Sequence, residues 1–231
     1  MKMFFVLMLL PIHLTLGSTP IEKMIDIENV YIPKGFDSND NVEIVVEGQL
    51  PNLCHQVPKI KANISKNKIQ LKLTSLFYGN RDYYCPPAIV PFLVTANLGV
   101  LKAGTYDVMA NNEGGRLRKV LEVSVAPTTS IDDHIYANVD YLEKNMGENF
   151  ITLKGYNVSD CFELDRINFG SNGTDTVSVL PIMKQVNDFC PRKMTPFEYT
   201  VEVPRDVNEK KVLLHVRTMN GKSYNKLITT K

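Results

Sequence analysis

The feature that most constrains this 231-residue chain is that it contains itself twice. Gly48 stands six residues before Cys54 and Ile60 six after it, and Gly155 and Ile167 hold the same places around Cys161. Further on, Cys85-Pro86 is followed after four residues by Pro91-Phe92, and Cys190-Pro191 by Pro196-Phe197 in the same frame. The offset is 107 at the first cysteine and 105 at the second, and it stays at 106 where Gly115 falls on Gly221 and Leu121 on Leu227. A sustained offset with matching punctuation is an internal duplication. Two units of about 100 residues are domains, because a solenoid needs more and shorter repeats. The expected division is a first domain over 19–126, a linker over 127–133 and a second domain over 134–231.

The duplication also selects among disulfides. Four cysteines allow three connectivities, and one pair per copy gives Cys54 with Cys85 and Cys161 with Cys190. Each bridge would close a loop of about 30 residues, adding about 3–4 kcal/mol in the chain-entropy model. A four-cysteine zinc site competes for the same residues but needs ligands in close pairs, and these four are spread over 54, 85, 161 and 190. Disulfides require an oxidising compartment, and the N-terminus supplies the route. Lys2, the apolar run Phe4–Leu10 and small residues near 18 form a secretory signal peptide over 1–18, with cleavage after Gly17 or Ser18. No cysteine lies near that cut for lipid attachment, and no later stretch offers 18 apolar residues for a transmembrane anchor. The expectation is a secreted or periplasmic protein.

Within each copy the hydrophobic period is two. Val42, Ile44 and Val46 alternate with Glu43, Val45 and Glu47; Ile69, Leu71 and Leu73 alternate with Lys68, Gln70 and Lys72. The second copy answers with Ile151 and Leu153, Val177 and Val179, Val201 and Val203, then Val212, Leu214 and Val216. One apolar side per strand marks a half-buried sheet. About seven such strands per copy predict an all-β chain of two tandem immunoglobulin-like β-sandwich domains, each with one intradomain disulfide. A small open barrel is the alternative, and the absence of Trp removes the antibody hallmark. The polar linker, with its single Pro127, should hold the domains close while allowing hinge motion.

Gly48-x-Leu50-Pro51-x-x-Cys54, Cys85-Pro86 with Pro91-Phe92, and the stretch Leu98 to Val108 containing Ala103-Gly104-Thr105-Tyr106 together make a longer pattern. It resembles a disulfide-containing immunoglobulin-like sandwich module of bacterial secreted proteins and lipoproteins, a module of unknown function. The match covers most of copy one; copy two keeps the cysteines, Pro191, Pro196 and Phe197 but loses the Gly-Thr-Tyr stretch. The resemblance implies export and a sandwich, and carries no catalytic residue.

Chemistry is sparse. No H-E-x-x-H, G-x-S-x-G or P-loop occurs, and both cysteine pairs are absorbed by bridges, leaving no thiol nucleophile. His55, replaced by Phe162 in copy two, His134 and His215 lie far apart and read as structural histidines. Asp37-Ser38-Asn39-Asp40-Asn41 lacks the Gly and distant Glu of an EF-hand and reads as a polar turn. With Lys plus Arg at 26 against Asp plus Glu at 25, no basic excess points to nucleic acid. The chain is therefore expected to be no enzyme, without cofactor or metal. Three glycosylation sequons, at Asn63, Asn157 and Asn172, decide little.

Two features exceed background. Phe77, Tyr78, Arg81, Tyr83 and Tyr84 crowd the run before Cys85, and aromatics with Arg anchor interfaces; the competing reading is that the rings cover the sandwich end. From Gly48 to Arg81 there is no acidic residue, and Lys66, Lys68 and Lys72 share a solvent parity. That face would attract an anionic surface, or simply protect a sheet edge. The leading function is an exported, non-enzymatic binding or adhesion module for a protein or cell-envelope surface. The alternatives are a secreted protease inhibitor presenting a disulfide-stapled loop, and a hydrolase assembled from distant residues.

Overall fold

The computed structural model describes residues 19–79, 84–112, 115–130, 132–144, 149–204 and 210–229. The signal segment, Arg81, Tyr83 and one linker residue lie outside them. The described chain is all β apart from one short 3-10 turn.

The first half runs β1 (Ile21–Met24), β2 (Ile27–Tyr31), β3 (Asn41–Leu50), β4 (His55–Ser65), β5 (Lys68–Phe77), β6 (Val90–Val100), β7 (Gly104–Asn112) and β8 (Gly115–Val123). One sheet is β2-β3-β6. In the other, β4 follows the whole of one edge of β5, while β1 and β7 share the opposite edge, at Thr74–Phe77 and Lys68–Leu71; β8 closes on β7. The sheets face each other across a core that takes Val42, Ile44 and Val46 from one and Ile69, Leu71, Leu73, Val108 and Leu121 from the other. The period-two apolar sides thus meet as a β-sandwich requires.

The second half runs β9 (Ile135–Tyr136), β10 (Val139–Glu143), β11 (Phe150–Asn157), β12 (Phe162–Ser171), β13 (Thr176–Gln185), β14 (Thr195–Glu202), β15 (Lys211–Thr218) and β16 (Lys222–Thr229). Its sheets are β10-β11-β14 and β12-β13-β15-β16 with β9 on β13. Strand order and sense match the first half throughout, including one parallel pair, β5–β7 in the first and β13–β15 in the second. Antibody-type sandwiches are built from antiparallel sheets, so this pair is a departure from that pattern. Among the described residues each half has eight strands where the sequence pattern predicts about seven. The disulfides are Cys54–Cys85 and Cys161–Cys190, with Cα atoms 5.5 and 5.4 Å apart.

The repeated Gly and Pro-Phe have one physical cause. Gly48 pairs across the sheet with Phe92, and Gly155 with Phe197. A Cβ on Gly48 would stand 2.7 Å from the Phe92 ring, and one on Gly155 2.9 Å from the Phe197 ring and 2.0 Å from the Asn138 carbonyl oxygen. The bare backbone is what lets the ring and the neighbouring strand close over it.

The halves are not loosely tethered. Glu43, Val45 and Glu47, which alternation assigns to solvent, are buried, as are Leu213, His215 and Arg217 on β15. The outer face of β2-β3-β6 packs on the outer face of β15–β16, with Tyr31, Val45 and Leu213 forming an apolar cluster flanked by Leu93 and Leu227. Tyr31 donates to Glu47 at 2.7 Å, Lys211 pairs with the same carboxylate, and Ser223 donates to Glu43. Hinge motion is the expectation this corrects. A solvent face read from one strand becomes an interior once a second sheet covers it.

One insertion organises that contact. Ile27 pairs with Gly48, 21 positions on, whereas the matching pair Val139 and Gly155 is 16 apart. Three of the five extra residues lengthen the β2–β3 loop and two extend the start of β3, and the loop reaches the second half. Arg217 there forms a two-pronged ion pair with Asp40, donates to the Gly35 carbonyl at 3.2 Å and lies between the Tyr136 and Phe36 rings. Asn39 in the same loop holds the linker by donating to the Ser130 carbonyl at 2.5 Å. The Asp37–Asn41 segment is thus a docking turn. Among the described residues, no group of His, Cys, Asp and Glu is arranged to hold a metal ion.

Candidate functional site

The disulfide end of the first half gathers the residues that the sequence singles out. Cys54 lies in the turn after β3, where its amide donates to Asn52 Oδ1 at 3.0 Å. The bridge carries the segment 84–89 across this turn, and Leu53 donates to the Pro86 carbonyl at 3.2 Å. Tyr78 is held by its amide on the Cys54 carbonyl at 2.9 Å. Staple and backbone bonds therefore fix the base of the aromatic segment.

Its rings differ in role. Tyr84 is 78% exposed and Tyr78 37%. Phe77 instead packs on the sandwich end, 4.8 Å from the His55 ring and under the Lys23 ammonium at 3.4 Å. Phe77 is a wall, Tyr84 a projecting ring. Leu53, Val57, Ile89 and Val90 are exposed around the bridge, and the second half exposes Val158, Val186, Phe189 and Met194 around its own.

Beside it, the outer face of β4–β5 carries Lys59, Lys61, Lys68 and Lys72, all exposed, with Lys66 in the tight turn at φ 53°. Lys61 and Lys72 are direct cross-strand partners, an arrangement that costs stability because like charges meet. Glu22 on β1 relieves part of it, lying 3.5 Å from Lys61 while accepting from Thr74 at 2.7 Å. Those contacts hold the Glu22 carboxyl below its ordinary pKa, the Thr74 hydroxyl first and Lys61 second. Lys59, Lys66, Lys68 and Lys72 make no ion pair among the described residues.

The histidines separate. His55 is buried with Nδ1 2.6 Å from Ser75 Oγ; burial, then Lys23, lowers its pKa. No carboxylate bonds to it among the described residues. His215, which alternation turns outward, is wholly buried against the first half, with Nδ1 2.8 Å from Asn225 Oδ1 and its ring edge-on to Phe36. His134 is exposed and packs edge-on to Tyr136.

Sequence reasoning misses Lys23 and Ser75, which the structure places on Phe77 and His55 at this end. It also misses Arg217, whose signal is the unequal Gly48 and Gly155 spacing. Residues 44–121 match the family described as the ORF11 beta-sandwich domain, a stretch lying wholly in the first half. Comparison with curated proteins and with solved structures finds no match.

Proposed function

We propose that this chain is an exported, non-enzymatic binding module whose partner surface is anionic with apolar contacts. The partner docks on the disulfide end of the first half. The observation that carries the reading is the juxtaposition of projecting Tyr84 and exposed apolar residues with a lysine face whose repulsion goes largely uncompensated among the described residues. A face that keeps like charges opposite each other is stabilised when an anionic surface arrives. Rings beside it supply the desolvated anchor that charge alone lacks.

On this reading the chain is a tandem duplication of one sandwich, immunoglobulin-like in its layering but with a parallel pair in each half. Residues 1–18 direct it across a membrane, where the two bridges form. The identical strand order supports the duplication, and one bridge per half supports the oxidising compartment.

The test is capture from native envelope extract at rising salt. Lys68→Glu/Lys72→Glu should reduce capture at least about tenfold at low salt and flatten its salt dependence, with melting temperature unchanged or raised because the reversed charge at 72 faces Lys61. Capture that ignores both salt and charge reversal would remove the basis for this assignment.

A further inference from the structure

The outer face of β2-β3-β6 is buried on the second half, and its counterpart there is the outer face of β10-β11-β14. Shared registers place Glu143 where the first half has Tyr31, Thr152 where it has Val45, and Glu198 where it has Leu93. Those three first-half residues belong to the apolar contact between the halves. Two carboxylates and a hydroxyl replace them, so the second-half face does not suit another apolar sheet. Glu143, Glu198 and Glu202 are exposed on it, and Asp140 is exposed on the same edge strand. Lys154 lies among them, 2.7 Å from Glu143 and 3.7 Å from Glu198, while Asp140 and Glu202 make no ion pair among the described residues. Tyr141, Phe150 and Tyr156 are exposed on the same strands, and Lys226 at the rim rests 5.5 Å from the Tyr141 ring. Rings set among carboxylates receive ammonium groups by cation–π and Coulomb attraction together.

We propose that this face docks a second copy of the chain, through the outer lysine face of that copy's β4–β5. Lys59, Lys61, Lys68 and Lys72 are exposed there, and Lys61 and Lys72 face each other across the strands. Acidic and basic faces lie at opposite ends of one stack of four sheets. The β4-β5-β7-β8 sheet comes first, then β2-β3-β6, then the sheet of β15–β16, then β10-β11-β14. Two ends of one stack meet only between copies, and there each relieves the like-charge repulsion of the other. The contact is head-to-tail, so it adds copies without closing at two. It rests on the lysine face of the proposed function and adds an acidic face which that function does not use. A second copy and an envelope partner would therefore exclude each other on the lysines.

Sedimentation velocity of the full chain, with melting temperature as the control for folding, is the test. Wild type should associate with a Kd below about 100 µM at about 20 mM salt and return to single chains at about 500 mM. Its mass should climb past two copies as protein concentration rises. Lys68→Glu/Lys72→Glu and Glu198→Lys/Glu202→Lys should each stay single. A mixture of the two should associate at least about tenfold more tightly than either alone, because reversed charges again oppose each other. Envelope capture separates this contact from the proposed function, since Glu198→Lys/Glu202→Lys should capture at least as well as wild type. Single wild-type chains at low salt, association that survives reversal of Glu198 and Glu202, or a mixture that stays single would overturn the proposal. Normal self-association with no envelope capture would instead overturn the function alone.

Discussion

His215 shows what a single side chain contributes when two sheets close over it. Burial first, then the nearby Arg217 charge, brings its pKa to about 4, well below the 6.5 of a free imidazole. Its Nε2 has no partner among the described residues, so a proton there would be a buried, unsatisfied charge. Because the folded pKa is depressed, the group's stabilising contribution is complete above pH 6.5. It is lost as pH falls from there toward 4, where the unfolded chain takes up the proton first. Urea unfolding at pH 7 and 4.5 should show wild type losing about 2–3 kcal/mol more than His215→Phe. Equal losses would mean that the imidazole is solvated. Asp132, pushed up to about 6 chiefly by burial, has the opposite sign, its contribution lost as pH rises through 6; it is common to both proteins and cancels in the comparison.

At the scale of elements, the β2–β3 loop turns two sandwiches into one body. Its Asp40 carboxylate and the Arg217 guanidinium are both nearly excluded from water. Removing one partner of such a pair leaves the other buried and uncompensated. Arg217→Met should therefore cost about 3–5 kcal/mol, and Asp40→Asn/Arg217→Met should recover part of it. Equal loss in single and double variants by urea unfolding would show that packing of the long side chain, not charge, carries the contact. The loop also marks where the sequence is legible. Both bridges and the apolar sides of β3, β5, β13 and β15 follow from periodicity and from punctuation repeated in each copy. The burial of Glu43, Glu47 and His215 does not, because it is set by a sheet more than a hundred residues away. The five-residue difference between the Ile27–Gly48 and Val139–Gly155 spacings is the trace of that contact in the sequence.

For the whole molecule, the two halves share a strand order but divide their surface unequally. The second half packs its end with Phe162, Met183 and Tyr136 and lends β15–β16 to the contact between halves. The first half carries an open cleft lined by Lys23 and His55, with Tyr84 projecting and its lysines exposed, while the second half exposes Phe189 and Met194 beside its bridge. The sequence shows this inequality only as the aromatic and basic bias of residues 48–84; how the cleft, rings and lysines meet depends on β1 coming to lie against β5. Matched substitutions in the two halves test the inequality most directly. Capture of partner from native envelope extract should be compared for Tyr84→Ala/Lys68→Glu in the first half and Phe189→Ala/Lys193→Glu in the second, with melting temperature as the control for folding. The account predicts that the first variant loses capture by at least about tenfold while the second stays near wild type. Equal loss in both, or loss confined to the second, would contradict it.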